Sequence, residues 1–243
     1  MRVDAIAIDL RPRSMMEASD LGVRLVGANL RSVVRTGAPV AAVTLLLALS
    51  TIELAPWLPS LLLFWFKPWL DRTLLFVLAR AVFGQPTTFT DLWNARREVW
   101  WSQLLPTLTR RRFSPWRSYV APVHQLEGQR GAESRRRRDL ILHGRRGVAF
   151  AMQWAFGWVE LALLLGLTAF AFWFAPPERG GAWFMALFGE GRLESALTFA
   201  AYALAVCIAE PFFVGAGFAM YLNRRVELEA WDIEQEFRLA FAA

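Results

Sequence analysis

Lys67, Asp71 and Arg72 interrupt the otherwise apolar residues 65–77 (WFKPWLDRTLLFV), and Glu160 and Glu210 interrupt two further apolar runs. Charged side chains set in hydrocarbon have two uses. They neutralise one another and so lock helices together, or they bind and release an ion or proton along a transport path. Lys67 and Asp71 are spaced i, i+4 and fall on one helix face, whereas Arg72, turned about 100° from Asp71, is expected to reach Glu160 or Glu210 on neighbouring helices. Lys67 is the single lysine among 27 basic residues. It is a compact, titratable ammonium in a chain that otherwise uses arginine. Pro68 and Pro211 directly follow Lys67 and Glu210; each lacks an N–H and is expected to break its helix beside the charge.

Other chemistry is harder to place. The chain carries no G-x-S-x-G, no H-E-x-x-H and no phosphate-binding glycine loop. One cysteine, Cys207, and two isolated histidines, His124 and His143, suggest neither a disulfide nor a metal centre. The expectation is a non-enzymatic protein without metal or cofactor.

The elements that position the five charges read as membrane helices. Hydrophobic residues make up 56% of the chain and aromatics 14%, with 12 Trp, which predicts an all-α integral membrane bundle. Four spans are expected, at residues 37–53, 56–84 (kinked at Pro68), 148–175 and 196–222. The first two are short or interrupted, and residues 74–83 could continue the second span or lie along the surface. At ~1.5 Å per residue, Lys67 lies about 15 Å from the outer end of its span, and Asp71, Glu160 and Glu210 lie about 20 Å from theirs. One layer would hold them all. Repeats of small residues (Ala201, Ala205 and Ala209, then Gly215 and Ala219) offer close helix approach.

Residues 87–147 hold thirteen arginines against five acidic residues, while residues 176–195 hold two against three. By the positive-inside rule the basic segment and both termini face the cytoplasm and residues 176–195 form a periplasmic loop. The N-terminal MRVDAIAIDLRPRS lacks the uninterrupted apolar core of a signal peptide, so the first span is expected to serve as internal signal. Arg110, Arg111, Arg112, Arg135, Arg136, Arg137 and Arg138 are read as a cytoplasmic surface for anionic lipid headgroups; a nucleic-acid partner is the less economical reading.

Residues 14–36, opened by a capping-box pattern at Ser14 and Glu17, predict an amphipathic helix lying on the membrane, or else packed on the protein's own helices. Residues 223–241 predict an acidic amphipathic helix that docks on the basic segment or on a partner.

Three stretches carry a resemblance: FWFKPWLDRTLLFVLARAVFG, RRRFSPWRSYVAPVHQLEG and EPFFVGAGFAMYLNRRVELEAWDIEQEFR. They resemble, over nearly the whole chain, a family of uncharacterised bacterial inner-membrane proteins. The family's characteristic positions fall on Lys67, Pro68, Asp71, Arg72, Glu210, Pro211, Asn223, Arg224, Arg225, Trp231 and Asp232, with Glu234 in the same acidic ending. Genes of such proteins tend to lie beside those for a MoxR-type AAA+ ATPase, a von Willebrand A-domain protein and other small membrane proteins, which implies a membrane assembly of the cell envelope. The ending is more distantly similar to the membrane domain of some glycerophosphodiester phosphodiesterases, whose catalytic residues this chain lacks. The leading expectation is therefore a multi-pass inner-membrane subunit or scaffold of an envelope-associated complex. The alternative is a small transporter or proton-coupled channel working through Glu160 or Glu210.

Overall fold

In the computed structural model, which describes residues 13–173 and 192–229, every regular element is helical. The long helices are α1 (Met15–Ala28), α2 (Leu30–Leu49) and α3 (Leu58–Ala81), followed by α8 (Arg146–Trp173) and α9 (Arg192–Glu229). Between α3 and α8 come α4 (Phe89–Asn94), a π-helical turn (Arg97–Trp101), α5 (Leu104–Leu108), α6 (Arg117–Gln125) and α7 (Gly131–Leu142). Among the described residues three helices are long and apolar enough to cross a membrane: Leu30–Leu49, Arg146–Phe170 and Ser195–Glu229. The 24-residue α3 has the length as well, but its charges keep it apart from those three.

Local chemistry sets the helix ends. Ser14 accepts the Glu17 N–H at 3.2 Å and opens α1. Asn29 closes it early, donating from its side chain to the Leu25 carbonyl at 2.9 Å. The helix expected over 14–36 therefore divides at Asn29, and residues 30–36 belong to α2. Its buried residues Met15, Ala18, Ser19, Gly22 and Val26 form one stripe, and that stripe lies along α9. The reciprocal capping box is completed at α4, where Thr88 accepts from the Asp91 N–H and Asp91 accepts from the Thr88 N–H.

Two glycines on α9 let other helices come close. A Cβ on Gly22 would sit 2.2 Å from the Gly215 carbonyl oxygen, and one on Gly217 would sit 2.2 Å from Ser118 Oγ. Positions 215 and 217 are two residues apart and so point about 200° away from each other. One seats α1 and the other seats α6.

Neither Pro68 nor Pro211 breaks its helix, contrary to expectation: α3 and α9 run through both positions. One missing N–H in a 24-residue or 38-residue helix is outweighed by packing on both sides of it. The second half of α3 is enclosed almost all round, with Leu70 to Leu75, Val77, Leu78 and Ala81 buried. Residues 74–81 thus continue the helix inside the protein. Residues 223–229 continue α9 instead of starting a separate helix, and residues 192–195 of the loop expected over 176–195 already belong to α9; the rest of that helix and of that loop lie outside the described residues.

The apolar core has two parts. One joins α1, the end of α3, α6, α7, the start of α8 and the later half of α9 around Tyr119, Phe218 and Tyr221. The other joins α2, the start of α3 and the earlier half of α9 around Leu63, Phe199 and Val206. Lys67, Asp71 and Glu210 lie at the seam between them.

Candidate functional site

At that seam, buried charges from four helices meet. Lys67 Nζ of α3 lies 2.5 Å from Glu160 Oε2 of α8 and 2.8 Å from Glu210 Oε2 of α9. The other Glu210 oxygen accepts from the Arg117 guanidinium of α6, whose Nε stands 3.0 Å from Asp71 Oδ2. The Arg117–Asp71 approach is an ion pair without hydrogen-bond alignment. The side chains of Lys67, Asp71, Arg117 and Glu210 are each less than 10% exposed, and Glu160 is 20% exposed.

Arg112 completes the charge count. It is buried, and its guanidinium lies 3.8 Å from the centre of the Phe64 ring. Fully ionised, Lys67, Arg112 and Arg117 balance Asp71, Glu160 and Glu210. Burial opposes the positive charge of Arg117, but Asp71 and Glu210 outweigh it and hold its pKa above the ordinary value. Arg117 also lies 5.0 Å from the Phe213 ring.

Two expected pairings are replaced. Lys67 meets Glu160 and Glu210 rather than Asp71, which turns to Arg117. Arg72 reaches neither glutamate: it donates to the Ser102 and Glu98 carbonyls, the latter at 3.1 Å. The reason is steric and local. The chain after α4 folds back on α3, where Trp100 Nε1 donates to Thr73 Oγ1 at 3.0 Å, so the carbonyls at the end of the π turn face Arg72 before any carboxylate does. Arg72 thereby satisfies backbone groups that the irregular turn leaves unpaired.

The arginines expected on an open cytoplasmic surface divide. Arg110, Arg135 and Arg136 are exposed, but Arg112 is buried and Arg111 is half-buried, donating to Gln103 Oε1 at 2.6 Å. Among the described residues Arg138 pairs only with the neighbouring Asp139, at 3.3 Å. Arg137 forks onto Glu127 at 2.8 and 2.9 Å and also reaches Glu229. Glu127 in turn accepts from the Tyr221 hydroxyl at 2.5 Å. The carboxylates raise the Arg137 pKa above its usual value, a hydrogen bond to Glu127 being the largest cause.

Asn223, Arg224 and Arg225, at the start of the segment expected to dock on the basic region or on a partner, are used within the chain. Asn223 exchanges two 2.9 Å hydrogen bonds with the Arg13 backbone, Arg224 pairs with Glu227 at 2.7 Å, and Arg225 pairs with Glu229 at 2.5 Å. Glu227 also meets Arg145 at 3.1 Å. The start of the acidic ending therefore lies against α7 and the α7–α8 turn. Trp231, Asp232 and Glu234 lie outside the described residues.

His124 Nδ1 on α6 and the Ser134 hydroxyl share a hydrogen bond of 2.7 Å. Burial, then Arg111 and Arg138, push its pKa down to about 3, so the imidazole is neutral. Among the described residues no group of His, Cys, Asp and Glu could hold a metal ion.

Three cavities flank the network. One of about 40 Å³ is bounded by Lys67, Arg117, Glu160 and Glu210. An apolar one of about 290 Å³ lies between α2, α3 and α9, with Glu210 at its edge. The third, about 300 Å³, has six arginines in its lining, Arg117 among them, and reaches Asp71. Comparison with protein-family models, curated proteins and solved structures finds no match.

Proposed function

We propose that this chain is a non-enzymatic subunit or scaffold of a bacterial inner-membrane, envelope-associated complex, with α3 as a fourth span and both termini in the cytoplasm. The observation that carries the reading is the closure of the buried charges on one another. Lys67 and Arg117 together engage Asp71, Glu160 and Glu210 and tie α3, α6, α8 and α9 into one unit. Charges consumed in this way fix helix positions. The short helices of residues 87–147, whose exposed arginines face outward, then form a rigid platform on the cytoplasmic side, suited to anionic headgroups and to a partner such as the MoxR-type ATPase. Purification from native membranes in mild detergent, with mass spectrometry of what co-elutes, tests this. A stoichiometric ATPase or membrane protein is the expected result; a chain that elutes alone at native expression refutes it.

A second reading, transport, draws on one observation. Glu210 borders both the apolar cavity and the small polar one, so its carboxylate is approached from two sides. Under that reading Glu210→Gln abolishes proton or ion flux in liposomes while the protein stays folded. Under the scaffold reading the same variant loosens the bundle.

A further inference from the structure

The 300 Å³ cavity between the middle of α3, α5, α6 and α7 has an unusual charge balance. Arg72, Arg110, Arg111, Arg117, Arg135 and Arg138 line it, against one carboxylate, Asp71. Asp71 is already engaged by Arg117 at 3.0 Å. Among the described residues no carboxylate lies within ion-pair distance of Arg110, Arg111 or Arg135, and Arg138 has only the exposed Asp139. Arg72, 7% exposed, retains an Nε–H without a hydrogen-bond partner. Such crowding of like charge is unfavourable unless something multiply negative relieves it.

We propose that this cavity binds a phosphate-bearing ligand, its oxygens held by Arg72 and Arg111 within and by Arg110, Arg135 and Arg138 towards the surface. Guanidinium forks match phosphate oxygens two at a time, and several forks converging from different elements favour a group with three or four acceptor oxygens over a carboxylate or a halide. Ser114 and Thr107 add hydroxyls to the lining. The volume stands at the lower end of the range of ligand pockets, which suits a phosphate or diphosphate group and excludes a nucleic-acid strand.

The surroundings agree. Burial, then Arg110 and Arg138, push the Arg111 pKa down to about 10, as expected where cations face each other. His124, also in the lining, is neutral and turned to Ser134, which leaves the binding charge to the arginines. The same chemistry is offered by an anionic phospholipid headgroup or by a soluble phosphate compound. The lining residues come from α3, α5, α6, α7 and the turn after α5 of this chain.

The test uses the full chain in phosphate-free detergent, titrated calorimetrically with inorganic phosphate and with pyrophosphate at fixed salt. In parallel, the chain in phosphatidylcholine nanodiscs, with and without phosphatidic acid, is followed by thermal unfolding. Saturable pyrophosphate binding assigns a soluble ligand, and a higher melting temperature with phosphatidic acid alone assigns the headgroup; both results support the site. Arg111→Gln and Arg135→Gln each weaken binding about tenfold, the loss of one charge-assisted hydrogen bond. Arg97→Gln, an exposed arginine outside the lining, leaves it within about twofold. Arg135 is exposed and makes no side-chain hydrogen bond or ion pair among the described residues, so its variant folds even if Arg111→Gln does not. Absence of binding by all three probes, or equal weakening by Arg97→Gln, overturns the proposal.

Discussion

Replacing Lys67 by Met removes one ammonium and leaves two carboxylates facing the gap. Glu210, 4% exposed, keeps its second partner Arg117, but Glu160 loses its ion-pair partner, and the sum over Lys67, Arg112, Arg117, Asp71, Glu160 and Glu210 falls from zero to one negative charge. Breaking a buried pair by removing one partner costs about 3–5 kcal/mol, because the other partner stays buried and uncompensated. At 1.36 kcal/mol per decade, ~4 kcal/mol is roughly a thousandfold loss in the ratio of folded to unfolded protein. Unfolding in mixed micelles by SDS titration, followed through the fluorescence of 12 tryptophans, reads the loss directly.

The deciding comparison is the double variant Lys67→Met with Glu160→Met. It restores the charge sum to zero and leaves Glu210 and Asp71 on Arg117, so at least half of the lost stability returns despite a second substitution. A clamp requires that recovery. If Lys67→Met is as stable as the native chain, or if the double variant is no better than the single one, the network does not hold the helices together.

Two further outcomes follow from particular contacts. Gly22→Ala places a Cβ 2.2 Å from the Gly215 oxygen and must part α1 from α9, lowering stability by about 1–3 kcal/mol or more, whereas Gly27→Ala, with nothing within 4 Å, is neutral or raises stability by up to about 1 kcal/mol; thermal melts of both variants check the pair. His124 is neutral in the fold down to about pH 3, while the unfolded chain takes up a proton below about 6.5. Stability from this group is therefore full above pH 6.5 and falls as the pH drops towards 3. Going from pH 6.5 to 4.5 costs at most about 2.7 kcal/mol, and His124→Gln should flatten the pH dependence of unfolding in that interval by a corresponding amount.

Depth along each apolar run, counted from one sequence, puts Lys67, Glu160 and Glu210 in one layer, and the ion pairs join those three. Pairwise geometry was not legible in the same way. The i, i+4 spacing makes a Lys67–Asp71 contact available, yet each side chain turned to a stronger partner on another helix, and helical spacing gives no information about what a neighbouring helix offers. Arg72 was misjudged for a similar reason: its partners are backbone carbonyls of a π turn, and irregular backbone has no hydropathy signal.

Arg117 was missed because it stands in a segment where thirteen arginines are already explained in bulk by the positive-inside rule. Two signals single it out. The run Tyr119-Val120-Ala121-Pro122-Val123 is the apolar interior of an otherwise basic stretch, and it becomes α6, buried at Tyr119, Val120, Pro122 and Val123. The second signal is arithmetic. Even with Arg72 counted, the sequence placed two cations against Asp71, Glu160 and Glu210, one short of neutrality in a layer where an uncompensated charge costs kilocalories. Arg72 keeps its charge but pairs with carbonyls, so the second cation that meets these carboxylates directly is Arg117, with Arg112 buried near them. A bulk rule about arginine therefore conceals those few arginines that enter the bundle, and an excess of acidic residues at one depth is the signal that points to them.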